Sequence, residues 1–528
     1  MEKNSAPRRD SECVDCVALF KGSITDDKNT YVIIILGASG DLAKKKTYPC
    51  LWWLFRDNLL PLNTFIIGYA RSELDIAKIR AQAEPNMKLT CMSCKMLDQF
   101  WERNFYIQGD YSKSEGFQKL DRLICDKWGP EVNRIFYFAV PPSVYVPISS
   151  NIRSWCMAKS SNCWTRLIIE KPFGHDLKSS DALSDHLAER FSEDQIYRID
   201  HYLGKEMIQS LMILRFANQL FTPLSSHEYI DNVTITFKEP FGTEGRGGYF
   251  DQFGIIRDVV QNHLMQILSL VAMERPDSLS SDDIRDKKVQ ALRQVKPLTL
   301  DNVVIGQYVA DPSATEPPAS LSYTDDPTVP NDSITPTYVC MVIYVNNERW
   351  KGVPFILRAG KALNEHKAEV RFQFKDIEGQ LFPSAERNEM VIRVQPDEAV
   401  YVKLITKTPG MRFDTEETEL DLTYSKRYQH IKLPDAYERL LLDVFCGSQA
   451  NFVRCDELSE AWRILTPLLD QLEREKIKPI PYPYGSRDGP PEAFELRRKV
   501  GYRLSRTYKW PFPENKEKNG NGSGDKDS

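Results

Sequence analysis

Apolar positions along the chain follow one rule up to about residue 200 and another beyond it. Between Tyr31 and Asp200 they form short unbroken runs, YVIIIL, TFIIGYA, RIFYFAV, RLIIE and QIYRID, separated by stretches of helical spacing. Continuous apolar runs suit strands covered on both faces, as in a mostly parallel sheet, so residues 30–202 are predicted to form a doubly wound α/β domain. After about residue 203 the runs VTITFKEP, TYVCMVIYV, FILRAG, VRFQFK, MVIRVQ and YVKLIT alternate or meet across short turns. That is the habit of antiparallel strands, and residues 203–515 are expected to form a larger β+α domain with a mostly antiparallel sheet. Within it, GGYFDQFGIIRDVVQNHLMQILSLVAM reads as an amphipathic helix with Ile256, Val260, Leu264, Ile267 and Val271 on its apolar stripe and Asp258 and His263 as polar members. The Pro-rich KPIPYPYGSRDGPP reads as an irregular connection before a final helix. Residues 1–29 and 516–528 show neither periodicity and are predicted to be mobile tails.

Composition narrows the function classes. With 41% hydrophobic and 27% charged residues the chain has the balance of a soluble globular protein. A formal net charge of −5 gives no long-range attraction to nucleic acid or an anionic membrane, so any anion site must be focal. No apolar run approaches the roughly 18 residues of a membrane span. Among 11 cysteines, the CMSC of Cys91 and Cys94 has no matching pair downstream, so no metal site is expected. The odd thiol count, with no apolar leader, predicts a reducing compartment, the cytosol.

In a doubly wound sheet, ligands bind beyond the carboxyl ends of the strands. Those ends carry Gly37-Ala38-Ser39-Gly40-Asp41, Arg71-Ser72, Pro141-Pro142, Glu170-Lys171-Pro172 and Asp200-His201. Glycines between a strand and a helix let backbone N–H groups and the helix N-terminus cradle a pyrophosphate, a Rossmann-like feature, although the third small position is Ala43 and a plain tight turn would also use them. Arg71 stands where an NAD enzyme would usually place an acid, which favours the 2′-phosphate of NADP over a merely solvated loop charge. His201 and Lys205, four apart and entering a helix near Gly204, suit a terminal phosphate, unless they are simply surface residues. A lone His263 in a helix could be a satisfied core group, but a neutral imidazole oriented by Asp200 would be a general base at neutral pH.

The segments GASGDLAKKK, EKPFG, RIDHYLGKE, FKEPFGTEGRGGYFDQFGIIRD, VPFILRAGKALNE and LPDAYERLLLDVFCG together resemble eukaryotic glucose-6-phosphate dehydrogenase over roughly residues 31–515. The resemblance implies NADP-dependent oxidation of C1 of glucose 6-phosphate to 6-phospho-D-glucono-1,5-lactone, the first step of the oxidative pentose phosphate pathway. It assigns His263 as base, Asp200 as its orienting partner and Lys171 as the group that positions substrate and cofactor, with a cis bond before Pro172. His201, Tyr202 and Lys205 would hold the sugar phosphate. Glu239, Asp258, Lys361 and Gln395 would meet the hydroxyls, with His366 beside them. The catalytic NADP would lie on Gly37, Ala38, Ser39, Gly40, Asp41 and Leu42, with Ala43, Lys44, Lys46, Arg71, Tyr145 and Lys171. A second, structural NADP would use Arg358, Lys367, Arg371, Arg393, Tyr401 and Lys403, completed by Asp421, Leu422, Thr423, Arg487 and Trp510. A homodimer or homotetramer is implied, with the β-rich domain as interface.

Two positions depart from the family pattern: His366 stands in place of an arginine, and Leu504 in place of a tyrosine. Arginine stays charged where histidine titrates near neutrality, so weaker or more pH-dependent binding is expected beside His366. Two rivals remain at this level, a catalytically silent nucleotide-binding homologue and a hexose-6-phosphate dehydrogenase of broad specificity.

Overall fold

The computed structural model describes residues 28–504 apart from 88, 90–93, 383–384, 430 and 432; most of both expected tails, Cys91 and Trp510 lie outside the described residues. The five apolar runs are all strands, and a sixth joins them. β1 (Thr30–Leu36), β2 (Thr64–Ala70), β3 (Asn104–Gln108), β4 (Val132–Phe138), β5 (Thr165–Glu170) and β6 (Ile196–Ile199) form one parallel sheet in the order β3-β2-β1-β4-β5-β6. Strand order reverses between β1 and β4, which opens a crevice above their carboxyl ends. β1 needs its unbroken Val32–Leu36 run because helices cover both faces, and every one of those side chains is inaccessible to solvent.

The second sheet has nine strands. They are β7 (Ile230–Lys238), β8 (Val303–Val309), β9 (Tyr338–Tyr344), β10 (Pro354–Gly360), β11 (Lys367–Phe374), β12 (Glu389–Gln395), β13 (Ala399–Lys407), β14 (Thr415–Thr423) and β15 (Ile480–Pro483), in the order β14-β13-β12-β11-β7-β10-β9-β8-β15. Its pairings are antiparallel except β7 with β10 and β8 with β15. The parallel pair matters for function, because it brings the residues after β7 and β10 to the same edge. Two expectations are corrected here. The Pro-rich connection contributes a strand, β15, which tolerates Pro481 and Pro483 because it lies at the sheet edge, where missing N–H groups leave no central ladder broken.

The helix expected to be amphipathic is buried almost all round. It runs as Gly247–Asp251, then a widened π-type segment Ile256–Leu264 that continues into Met265–Ala272. Its predicted stripe is buried, but so are Gln261, Asn262, His263 and Gln266 on the other side. The helices Ser281–Arg293 and Cys455–Arg474, together with β10, pack around it, so its polar side chains are spent on internal partners and on the cleft rather than on solvent. Among the described residues no helix is long and apolar enough to cross a membrane.

Candidate active site

The carboxyl ends of β5 and β6 and the buried helix converge on one cluster. Asp200 follows β6 and is buried; its Oδ1 accepts from the Tyr202 backbone N–H at 3.0 Å and lies 2.5 Å from His263 Nδ1. A carboxylate on Nδ1 fixes the tautomer, with the proton on Nδ1 and the lone pair on Nε2. Lys171 Nζ stands 3.2 Å from that Nε2, and also donates to the Asp258 carbonyl at 2.7 Å. The Lys171–Pro172 bond is cis. Burial, reinforced by Lys171, pushes the His263 pKa well below its ordinary value, so the imidazole is neutral and basic at Nε2. Burial likewise raises Asp200 above the usual carboxylate range, while His201 and Lys171 oppose the shift. Lys171 is held charged against its own burial by Asp258 and Asp200.

From this dyad a chain of alternating charge crosses to the second sheet. Asp258 is pulled down, despite burial, by Lys171 and then Lys361. Lys361, just after β10, donates to Glu239, just after β7, at 2.5 Å. Parallel pairing of β7 and β10 is what makes these neighbours. Gln395 ends β12 and its amide lies 2.9 Å from His366 Nε2.

The other end of the cleft is basic and aromatic. The expected shared helical turn of His201 and Lys205 is corrected: His201–Gly204 is a short 3-10 turn capped by Asp200, and Lys205 is the extended N-cap of the helix Glu206–Phe216. Gly204 makes that turn possible, since a Cβ there would come within 2.4 Å of the Ala436 carbonyl oxygen. The close approach seats the helix Ala436–Cys446 so that Tyr437 stacks on His201, with centroids 5.6 Å apart. The Tyr202 ring stacks on His263 at 4.3 Å and lies under the Lys205 ammonium at 5.1 Å.

Tyr437 was not singled out from the sequence, because only the fold brings a residue so distant in the chain to His201. Glu170 was also missed. It is buried beneath the cluster with its carboxyl 2.5 Å from the Tyr137 hydroxyl, and burial raises its pKa to about 7.

On the crevice side, Gly37 has φ +90 and a Cβ there would meet the Ala139 carbonyl oxygen at 2.2 Å. The loop thus passes close over the β4 end, and the chain turns at once into the helical segment that carries Ala43, Lys44 and Lys46. Leu42 is half-buried, and Asp41 forms ion pairs with Lys44 and Lys45. Ser39 Oγ lies 3.4 Å from Ser72 Oγ, so the first and second strand ends meet across the crevice. Arg71 is exposed there, its guanidinium 5.8 Å from the Tyr111 ring centroid. Tyr145 is placed differently from the loop residues: it is fully buried and its hydroxyl donates to the Glu170 carbonyl at 2.9 Å, which steadies the turn into Lys171.

A second polar cavity of about 170 Å³ lies on one face of the large sheet. Arg358, Lys367, Arg371, Arg393, Tyr401, Lys403 and Arg487 all line it, as does Leu504. Sequence reasoning did not single out Glu365, Glu369, Glu389 and Asp488 in the same lining; with Lys238, also in it, seven basic side chains face four carboxylates. Arg358 pairs with Asp488 at 2.7 Å, Lys367 with Glu365 at 2.9 Å and Lys403 with Glu389 at 3.1 Å. Lys238 was missed; burial and Arg358 push its ammonium down to about 7. Asp421 sits across from Tyr401 on β14 and accepts from the Thr423 hydroxyl at 2.7 Å, while Leu422 is exposed beside it.

Comparison with known proteins joins these sites to one family. Residues 34–210 match "Glucose-6-phosphate dehydrogenase, NAD binding domain" and residues 212–510 match "Glucose-6-phosphate dehydrogenase, C-terminal domain". The chain is 58% identical to the glucose-6-phosphate 1-dehydrogenase of Takifugu rubripes over 487 residues, 92% of this chain and 91% of the relative. It is 56% identical to the Caenorhabditis elegans protein of the same name over 509 residues, 95% and 97% of the two chains. A solved glucose-6-phosphate dehydrogenase in complex with glucose 6-phosphate superimposes with a TM-score of 0.86 at 44% identity, covering 90% of this chain and 99% of its own. The Mycobacterium avium enzyme superimposes at 0.79 with 33% identity, over 92% of this chain and 100% of its own.

Proposed function

The chain belongs to the glucose-6-phosphate dehydrogenase family, and from that premise we propose that it oxidises C1 of glucose 6-phosphate to 6-phospho-D-glucono-1,5-lactone with NADP as acceptor. The observation that carries this reading is the buried Asp200–His263 pair at 2.5 Å with Lys171 at the free nitrogen. His263 Nε2 takes the proton of the C1 hydroxyl, and Asp200 stabilises the imidazolium that results. NADP, when bound, supplies the nicotinamide carbon that accepts the hydride from C1. Lys171 holds the reacting oxygen between the two halves of the cleft, and Glu239, Asp258, Lys361 and Gln395 orient the remaining hydroxyls. His201, Tyr202 and Lys205 take the phosphate, whose dianion the Lys205 ammonium meets in a partly desolvated corner.

The crevice residues fit NADP. Gly37 gives the tight turn and close approach, the helical start gives backbone donors, and Arg71 is exposed at the β2 end. Replacing Arg71 with alanine is expected to raise KM for NADP by about 10- to 100-fold, the size of a lost charge-assisted hydrogen bond, while KM for NAD stays level. Initial rates with each coenzyme measure this; parallel loss for both coenzymes would remove Arg71 from 2′-phosphate recognition.

The proposal extends to the second cavity, which would hold a structural NADP on its excess of basic groups, and to a homodimer or homotetramer in the cytosol. Exposed Ile377, Leu381, Met411, Phe413 and Leu420 on β14 and the neighbouring loops support an assembly through the large sheet. The division near residue 202 belongs to the same proposal. At the boundary of substrate cleft and second cavity, His366→Arg is expected to tighten binding of glucose 6-phosphate or structural NADP, because arginine adds a permanent charge; unchanged affinities for both would refute a role for His366.

The function itself is tested by initial-rate absorbance at 340 nm with glucose 6-phosphate and either coenzyme. Rapid reduction of NADP is the expected result. No reduction with both ligands bound would leave only a silent nucleotide-binding protein.

A further inference from the structure

Behind the dyad lies an ion pair that the proposed chemistry does not use. Lys288, on the helix Ser281–Arg293, and Glu457, on the helix Cys455–Arg474, have no solvent-accessible side-chain surface and meet at 2.8 Å. Lys288 Nζ also donates to Gln266 Oε1 at 2.7 Å. Gln266 is itself buried, and stands one helical turn beyond His263 on the same continuous helix. A fully buried ion pair is a poor source of stability, because desolvation offsets much of its attraction, and apolar replacements are often tolerated. Its retention against that cost needs another reason.

We propose that Lys288 and Glu457 form a positioning unit for the catalytic helix: the ammonium clamps Gln266, so fixing where His263 stands relative to Asp200, and the balance of the two charges tunes the dyad. The inference rests on the reading of His263 as base. A helix widened into π-type turns through Ile256–Leu264 departs from the rotation per residue of the α-helix that follows it, and a side-chain clamp one turn onward sets a reference point. The field of Lys288 reaches Asp200 and favours its ionised form. The other charged or titratable groups that face Asp200 include His263, His201, Lys171, Tyr202 and Tyr437, and the buried Glu170 of β5 senses Asp200 in turn. Lys288 is thus the cation that acts on the dyad from behind, away from the substrate.

Three variants of the full-length protein, with His263→Asn alongside, test this. Gln266→Met cuts the clamp and leaves the ion pair; kcat is expected to fall roughly 10- to 100-fold, the scale of a misplacement of about 1 Å, with KM for glucose 6-phosphate near the parent value. Lys288→Met removes the cation, so the dyad takes up its proton more readily and the acid limb of the kcat profile moves to higher pH. Glu457→Gln leaves the ammonium unbalanced, and the limb moves to lower pH. Opposite movements are a signature that loss of packing alone cannot produce. Parent-like kcat in Gln266→Met overturns the clamp, and limbs that stay put in the two charge variants overturn the tuning. If either charge variant fails to fold, Gln266→Met still decides the clamp, and Lys288→Met/Glu457→Met, which leaves no orphaned charge, is expected to keep the limb in place with kcat lowered. Unchanged turnover in His263→Asn would sink the base assignment itself, whereas lost turnover there with parent-like Gln266→Met sinks only the present inference.

Discussion

Replacing His263 with alanine is expected to lower kcat by about 100- to 10,000-fold, the usual worth of a positioned general base, with binding of glucose 6-phosphate little changed. The imidazole is buried against Tyr202 and Asp200 with the His201 ring edge-on at 4.7 Å, but it is neutral and adds no charge to the phosphate corner, so its loss removes the proton acceptor and leaves the Lys205 ammonium in place. Stopped turnover combined with calorimetric binding of the sugar phosphate separates the two. The pH profile adds a second check. Because burial and Lys171 depress the His263 pKa, the base is already free at neutral pH, and the acid limb of the parent protein should lie below the ordinary imidazole range. Near-parent turnover in the alanine variant would refute the assignment.

Much of this architecture was legible in the chain because its first half is written in unbroken apolar runs. Ile33, Ile34 and Ile35 have no polar alternation, which only a strand covered on both faces accommodates, and once the sheet is parallel its carboxyl ends name the site. Lys171, Asp200 and His201 were found that way. The runs said less about the catalytic helix. Its 3.6-residue apolar stripe is real, yet its polar side is buried too, since Gln266 finds Lys288 and His263 finds Asp200. Periodicity reports where apolar side chains recur; it cannot distinguish a polar face turned to water from one turned to internal partners. The same limit applies to the large sheet. Lys367 and Arg371 were visible as alternating cations on β11, but the compensating Glu369 between them and Glu389 across from Lys403 acquire meaning only through strand register. Tyr437 was illegible for a different reason, being brought to His201 by a glycine contact between segments far apart in sequence.

Asp200→Asn should be nearly as damaging as loss of the base, although it changes only one atom. In the parent, Oδ1 accepts from both the Tyr202 N–H and His263 Nδ1, an arrangement only an acceptor can satisfy. Asparagine with its carbonyl in the place of Oδ1 keeps both bonds, whereas the flipped rotamer, with its amide toward Nδ1, would lose them and stabilise the tautomer with the proton on Nε2, where a base must be free. The charge is lost as well, so nothing offsets the imidazolium formed as the C1 hydroxyl gives up its proton. A carboxylate-to-amide change in a comparable base–orienter pair costs about 10,000-fold in kcat, and a fall of that order is expected. The residual activity should have an acid limb at lower pH than the parent, because an imidazole without a neighbouring anion binds its proton more weakly. Oδ2 of Asp200 is buried and has no hydrogen-bond partner, so the substitution puts an amide group where the fold offers no ready partner, and Asp200→Asn should also be somewhat less stable to heat. A variant with parent-like kcat would show that the carboxylate serves packing at the β6 end and not the proton transfer.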